Sequence, residues 1–145
     1  GDSLTVRLAG EERAVKAASK LIGGEELTDG ERFWHKLREQ QHGFFTSRKP
    51  LWRLSVASDA PPMEVPGKWL YEWGGAQRWL ISEAPAEVIQ AAASAAGGHA
   101  TRFRGGPRDQ VFQPLPAGLM RIHQRLKQAF DPAGLFNPGR MYETL

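Results

Sequence analysis

Four arginines stand at alternating positions in strand-like stretches: Arg53 in LWRLSVAS, Arg78 in AQRWLIS, and Arg102 and Arg104 in HATRFRGG. Their fixed positive charge and forked donors suit a carboxylate, phosphate or other anion. Each has a plainer reading as a solvated or ion-paired surface residue, and Arg78 also as a cation–π partner of Tyr71. Proton transfer has no evident agent. The four histidines, His35, His42, His99 and His123, lie far apart and form no metal-ligand pair. His99 follows two glycines with no second histidine or carboxylate close in sequence, which suits the exposed start of a strand. With no cysteine at all, the chain holds no disulfide, thiolate nucleophile, cysteine-bound zinc or iron–sulfur cluster. Neither G-x-G-x-x-G nor a Walker phosphate loop occurs. The chemistry on offer is anion binding, with no catalytic group and no metal.

The totals suit one soluble globular domain of 145 residues: 41% hydrophobic, 24% charged, mean hydropathy −0.46. No apolar run approaches the roughly 18 residues of a membrane span, so direct membrane insertion is not expected. The net charge of +3 is uneven: residues 99–145 carry +4 and residues 1–98 carry −1. A basic C-terminal third suits an anionic partner or ligand, one version being a small anion held by Arg102, Arg104 and Arg108. Nucleic acid is not expected, because no binding motif accompanies the charge. The chain starts Gly-Asp-Ser-Leu with no basic or apolar leader, so a longer polypeptide is one expectation and a cytoplasmic location another.

The elements that must position these residues follow from periodicity. SLTVRLAG alternates Leu4, Val6 and Leu8 with polar or small residues and predicts a half-buried strand. EERAVKAASKLIGG predicts a helix with acids at its start, the stripe Ala14, Val15, Ala18, Leu21 and Ile22, and Gly23 as a left-handed cap. Thr28 and Glu31 have capping-box spacing for a second helix over 30–41 that buries Phe33 and Leu37, with Phe44 and Phe45 packing its exit. LWRLSVAS predicts a strand with Trp52, Leu54 and Val56 on one face. The proline-rich DAPPMEVPG that follows predicts a loop.

KWLYEWGGAQRWLIS predicts a hairpin about Gly74-Gly75, with Trp73 paired to Ala76. That register sets Trp69, Tyr71 and Trp73 beside Arg78 and Leu80 on one face, and Leu70 and Glu72 beside Trp79 and Ile81 on the other. Both faces are substantially apolar, so each needs a cover: a loop of this chain, or another domain. The tryptophans fit core or interface roles. APAEVIQAAASAAGG predicts a helix, and HATRFRGG a strand with Arg102 and Arg104 on one face opposite Thr101 and Phe103. Leu115, Leu119, Ile122, Leu126 and Phe130 follow helical spacing into FDPAGLFNPGRMY. There Pro132 stops the helix near Phe130, Leu135 and Phe136 form an apolar peg, and Asn137-Pro138-Gly139-Arg140 fits a turn. The fold class is α+β, an antiparallel sheet with helices on one face, ferredoxin-like in arrangement.

LKQAFDPAGLFNPGRMY resembles the C-terminal signature of the flavin-dependent oxidase superfamily that includes vanillyl-alcohol oxidase, p-cresol methylhydroxylase and the D-2-hydroxyacid dehydrogenases. Together with YEWGGAQRWL and the Ala-rich helix before GGHATRFR, it is similar to the smaller flavin-binding subunits of bacterial glycolate oxidases. The resemblance implies that residues 1–130 are a cap domain and that 131–145 return to an FAD-binding domain outside this chain. By residue it carries over only Asn137, Pro138, Gly139 and Arg140, near that domain's interface; the apolar hairpin face and the peg make Trp69, Tyr71, Trp73, Leu135 and Phe136 the interface candidates. It implies FAD bound mainly elsewhere, partners in a catalytic flavin subunit and an iron–sulfur subunit, and a location at the inner membrane surface only through those partners. The catalytic relatives carry His-Gly-Asp-Gly-Asn and Glu-His-Gly motifs; their absence here implies an accessory role. A competing expectation from the residues alone is a free-standing ferredoxin-like module whose tryptophan-rich face binds a protein.

Overall fold

A computed structural model describes residues 3–145, which divide into two compact units, one up to residue 42 and one over residues 43–145. The first contains helices α1 (Glu12–Ile22) and α2 (Gly30–Arg38). Glu11 caps α1 by accepting from the Arg13 and Ala14 amides, and Gly23, at φ 70°, closes it by donating to the Ser19 carbonyl. The expected stripe of α1 is not buried, since no residue of that helix is. α2 ends three residues earlier than its apolar spacing suggests, and its N-cap is Asp29, without a side-chain cap bond. The Thr28–Glu31 capping box does not form.

The strand expected over residues 4–8 is also absent: this segment has no strand partner among the described residues, and Leu4 is 88% exposed. Alternation fits a pleated backbone, but a strand exists only when its N–H and C=O groups are paired.

The second unit is built on four antiparallel strands, β1 (Leu51–Ser55), β2 (Lys68–Glu72), β3 (Gln77–Ile81) and β4 (His99–Arg104), in spatial order β2-β3-β1-β4. α3 (Ala86–Ala95) joins β3 to β4, and β1 lies between those two parallel strands, which is a split βαβ unit. The β1–β2 crossover has no helix. Residues 56–67 make it as a loop, because Pro61, Pro62 and Pro66 cannot sustain one.

The core lies on one face of the sheet. Trp52, Leu54, Leu80 and Ala100 meet Ile89, Ala86 and Ala93 of α3, with Val65 of the crossover closing the side. Small side chains on α3 let it lie close, and the Gly98 position is tight: a Cβ there would stand 2.0 Å from the Ser55 carbonyl oxygen. On the opposite face Phe45 packs edge-on against Trp79, which in turn meets Phe103. The last helix, α4 (Ala117–Phe130), buries none of its residues.

Candidate functional site

The hairpin keeps the expected register, with Glu72 opposite Gln77, Tyr71 opposite Arg78 and Trp69 opposite Leu80. Its turn is longer than two residues. Trp73, Gly74 and Gly75 all take positive φ, so the reversal spans 73–76, and Trp73 is carried out to 81% exposure. Trp69 and Tyr71 stack at 5.9 Å, and the Trp69 indole donates to the Val65 carbonyl.

Arg78 is only 2% exposed. Its Nε donates to the Gly75 carbonyl at 3.0 Å and its Nη1 to that of Pro61 at 2.7 Å, while Nη2 reaches the Ala60 carbonyl. Tyr71 lies 5.1 Å from the guanidinium. The side chain is thus a clamp between the hairpin turn and the crossover loop, neutralised by carbonyl dipoles and a ring face.

Arg102 and Arg104 do not share a partner or a face. Pairing slips between Leu51, opposite Arg104, and Trp52, opposite Arg102, so one extra β4 residue is accommodated there. Arg102 lies over the Trp52 ring at 4.8 Å and donates to the Pro107 and Asp109 carbonyls. Arg104 donates to the Phe45 carbonyl at 2.6 Å. Beside Arg102 is a cavity of about 290 Å³, bounded also by Glu83, Glu87, Pro107 and Gln110. Two carboxylates make it a poor pocket for an anion. The Glu87 carboxyl is held below its ordinary range by its own backbone N–H and the Gln110 amide.

Arg53 is exposed and makes no hydrogen bond or ion pair among the described residues. It stands across from Trp79 on β3 and Thr101 on β4. His99 occupies the first position of β4, exposed, opposite Ser55 on the same face. The Glu72 carboxylate accepts from the Trp79 indole and the Gln77 amide, a role that hairpin pairing alone did not suggest. Among the described residues no three His, Asp or Glu side chains gather into a metal-ligand set, and no helix is long and apolar enough to cross a membrane.

The C-terminal corner is organised by Asp131, the residue before the helix-stopping Pro132, to which the sequence alone assigned no role. Asp131, 8% exposed, accepts from the Leu135 and Phe136 amides at 2.9 Å each and pairs with Lys127 Nζ at 2.7 Å. Lys127 and these amides hold its carboxyl down at about 2. Lys127 also donates to the Phe136 carbonyl. The signal was present as Lys and Asp four apart at the end of a helix, but an i,i+4 pair is ordinarily a solvated one. With the backbone so tied, the Leu135 and Phe136 side chains stand 74% and 68% exposed. In the following turn the Arg140 backbone amide donates to the Asn137 carbonyl, and Gly139 has the positive φ of 66° that a type II turn needs. The Gly139 amide is spent on the Leu145 carbonyl. The Gly139 and Arg140 amides are thus committed within the corner itself.

Over 144 residues, 99% of its length, the chain is 54% identical to "Glycolate oxidase subunit GlcE" of Escherichia coli (strain K12). The match covers 40% of that relative, so the chain spans less than half its length. No protein-family model and no solved structure matches. The chain is homologous, along its full length, to the C-terminal part of the glycolate oxidase subunit GlcE.

Proposed function

We propose that this chain is the C-terminal cap domain of the FAD-binding subunit of a glycolate oxidase complex, which oxidises glycolate to glyoxylate and passes the electrons through flavin to a partner subunit. In this reading residues 1–130 form the cap, and residues 131–145 return to an FAD-binding domain of the same polypeptide. The catalytic flavin subunit and an iron–sulfur subunit are the other partners, and the complex is cytoplasmic, reaching the inner membrane surface through them. The carrying observation is the identity extending over 99% of the chain. The bare side chains of Trp73, Leu135 and Phe136 support it, because soluble domains seldom leave large apolar groups uncovered without a partner.

The role is accessory. Taking hydride from the carbon of a 2-hydroxy acid calls for a base at the hydroxyl and a cation at the carboxylate. Arg53 meets the second need, being exposed and without an ion pair among the described residues, whereas Arg78, Arg102 and Arg104 donate to backbone carbonyls. No base is assigned. Asn137 to Arg140 lie at the flavin-domain interface. Produced alone, the chain is expected to fold, to be colourless and not to oxidise glycolate; a yellow preparation carrying one FAD per chain would contradict the proposal.

A further inference from the structure

β2 is an edge strand, paired among the described residues only with β3. The other edge of the sheet is partly closed: Thr101 of β4 bridges to Phe112, and the Arg102 amide donates to the Val111 carbonyl. No described residue does this for β2. Nor does β2 carry the usual guards of an exposed edge, since it has no proline and no slip in its pairing, and its middle residues are Trp69, Leu70 and Tyr71.

The ladder fixes which backbone groups point outward. The Val56 and Ser82 amides donate to the Ala76 and Pro50 carbonyls, extending the β1–β3 ladder at both ends. Hydrogen-bonded pairs alternate along such a ladder, so Arg78 and Leu80 turn their backbone groups to β1, while Gln77, Trp79 and Ile81 turn theirs to β2. The partners of these three are Glu72, Leu70 and Lys68. The backbone N–H and C=O groups of Trp69 and Tyr71 therefore face away from the sheet, and Tyr71 is 46% exposed.

We infer that β2 pairs antiparallel with β2 of a second copy of the chain, about a two-fold axis at Leu70, joining the two sheets into one. In that register Trp69 of each copy faces Tyr71 of the other, so the outward backbone groups meet as hydrogen-bonded pairs. Lys68 then stands opposite Glu72 of the other copy, on the same face, at both ends of the pairing. The charges select this occupant. Lys68 is exposed and has no ion pair among the described residues. Glu72 spends Oε2 on the Gln77 amide and the Trp79 indole and leaves Oε1 without a donor. β2 thus calls for a strand that brings an acid to Lys68 and a base to Glu72, and β2 itself, reversed, is such a strand. Five residues a side is small against the roughly 1,200–2,000 Å² of a standard interface, so the dimer is expected to depend on concentration.

The test is disulfide trapping in the full-length polypeptide, read against wild type. Leu70 would face its own counterpart as a non-hydrogen-bonded pair with Cα atoms about 4.5 Å apart, inside the about 4.4–6.8 Å that a disulfide spans. Under mild oxidation Leu70→Cys is expected to give at least about tenfold more disulfide-linked dimer than Tyr71→Cys, which is two positions out of register with itself. Adding Lys68→Glu to Leu70→Cys sets acid against acid and should cut the yield severalfold, and Glu72→Lys in the same chain should restore it. Little dimer from Leu70→Cys, in protein whose circular dichroism matches wild type, overturns the inference, also where amide exchange shows another segment covering the β2 edge. Equal yields from Leu70→Cys and Tyr71→Cys, or a yield unchanged by Lys68→Glu, overturn it as well.

Discussion

Replacing Arg78 by Met removes the buried charge and keeps most of the aliphatic volume. Three carbonyls, those of Ala60, Pro61 and Gly75, then lose their donor. Bonds to a charged group contribute about 1.5–3 kcal/mol each, and a deserted acceptor costs about 1–3 kcal/mol. Both figures must be cut here. Pro61 is exposed and Ala60 and Gly75 are half-buried, so water can replace the lost donor, and the arginine itself was desolvated without a carboxylate partner. About 0.5–1 kcal/mol per carbonyl, plus about 0.5–1 kcal/mol for the Tyr71 ring contact, gives a net loss of about 2–4 kcal/mol. Arg78→Lys should recover less than half, since one ammonium cannot span three carbonyls on two segments. Denaturant unfolding followed by tryptophan fluorescence reads this as a lower midpoint at unchanged slope. A loss of under about 0.5 kcal/mol for Arg78→Met, within the range of ordinary surface changes, would refute the clamp and reopen Arg78 as an anion-binding residue.

Gly98→Ala drives a methyl group to 2.0 Å from the Ser55 carbonyl oxygen and 2.6 Å from Val56 Cγ1, so the β1–β4 pairing must open; a destabilisation of about 1–3 kcal/mol is expected by thermal unfolding. Because the Asp131 carboxyl is depressed from its ordinary 3.8 to about 2, its stabilising effect is complete above about pH 4 and is lost as pH falls towards 2. The Leu135 and Phe136 amide resonances should therefore titrate with a midpoint near 2; a midpoint near 4 would show that the corner is not tied by Asp131.

Local chemistry was legible and non-local partnership was not. The hairpin register followed from alternation around Gly74-Gly75, and it held although the turn took in Trp73 as well. The end of α4 at Phe130 followed from the conformational restriction that Pro132 imposes on Asp131. Residues 4–8 have the pattern of a strand, but a pattern cannot supply the neighbour a strand requires. The slip between Leu51 and Trp52 separated Arg102 from Arg104, and strict period-two reasoning has no place for a bulge. The stripe of α4 reads as core because apolar spacing is the same whether its cover lies within the chain or in another body. Arg78 and Asp131 were recognisable as charged residues at meaningful positions. Their burial depended on carbonyls seventeen and eighteen residues away in one case and on a returning backbone in the other.

Hydroxyl-radical footprinting of Trp73, Leu135 and Phe136, in this chain alone and in the full-length polypeptide, tests most directly whether these apolar groups await cover by more protein. All three are expected to react freely in the isolated chain and to be protected severalfold in the longer protein. Equal reactivity in both, with the longer protein folded, would contradict the account.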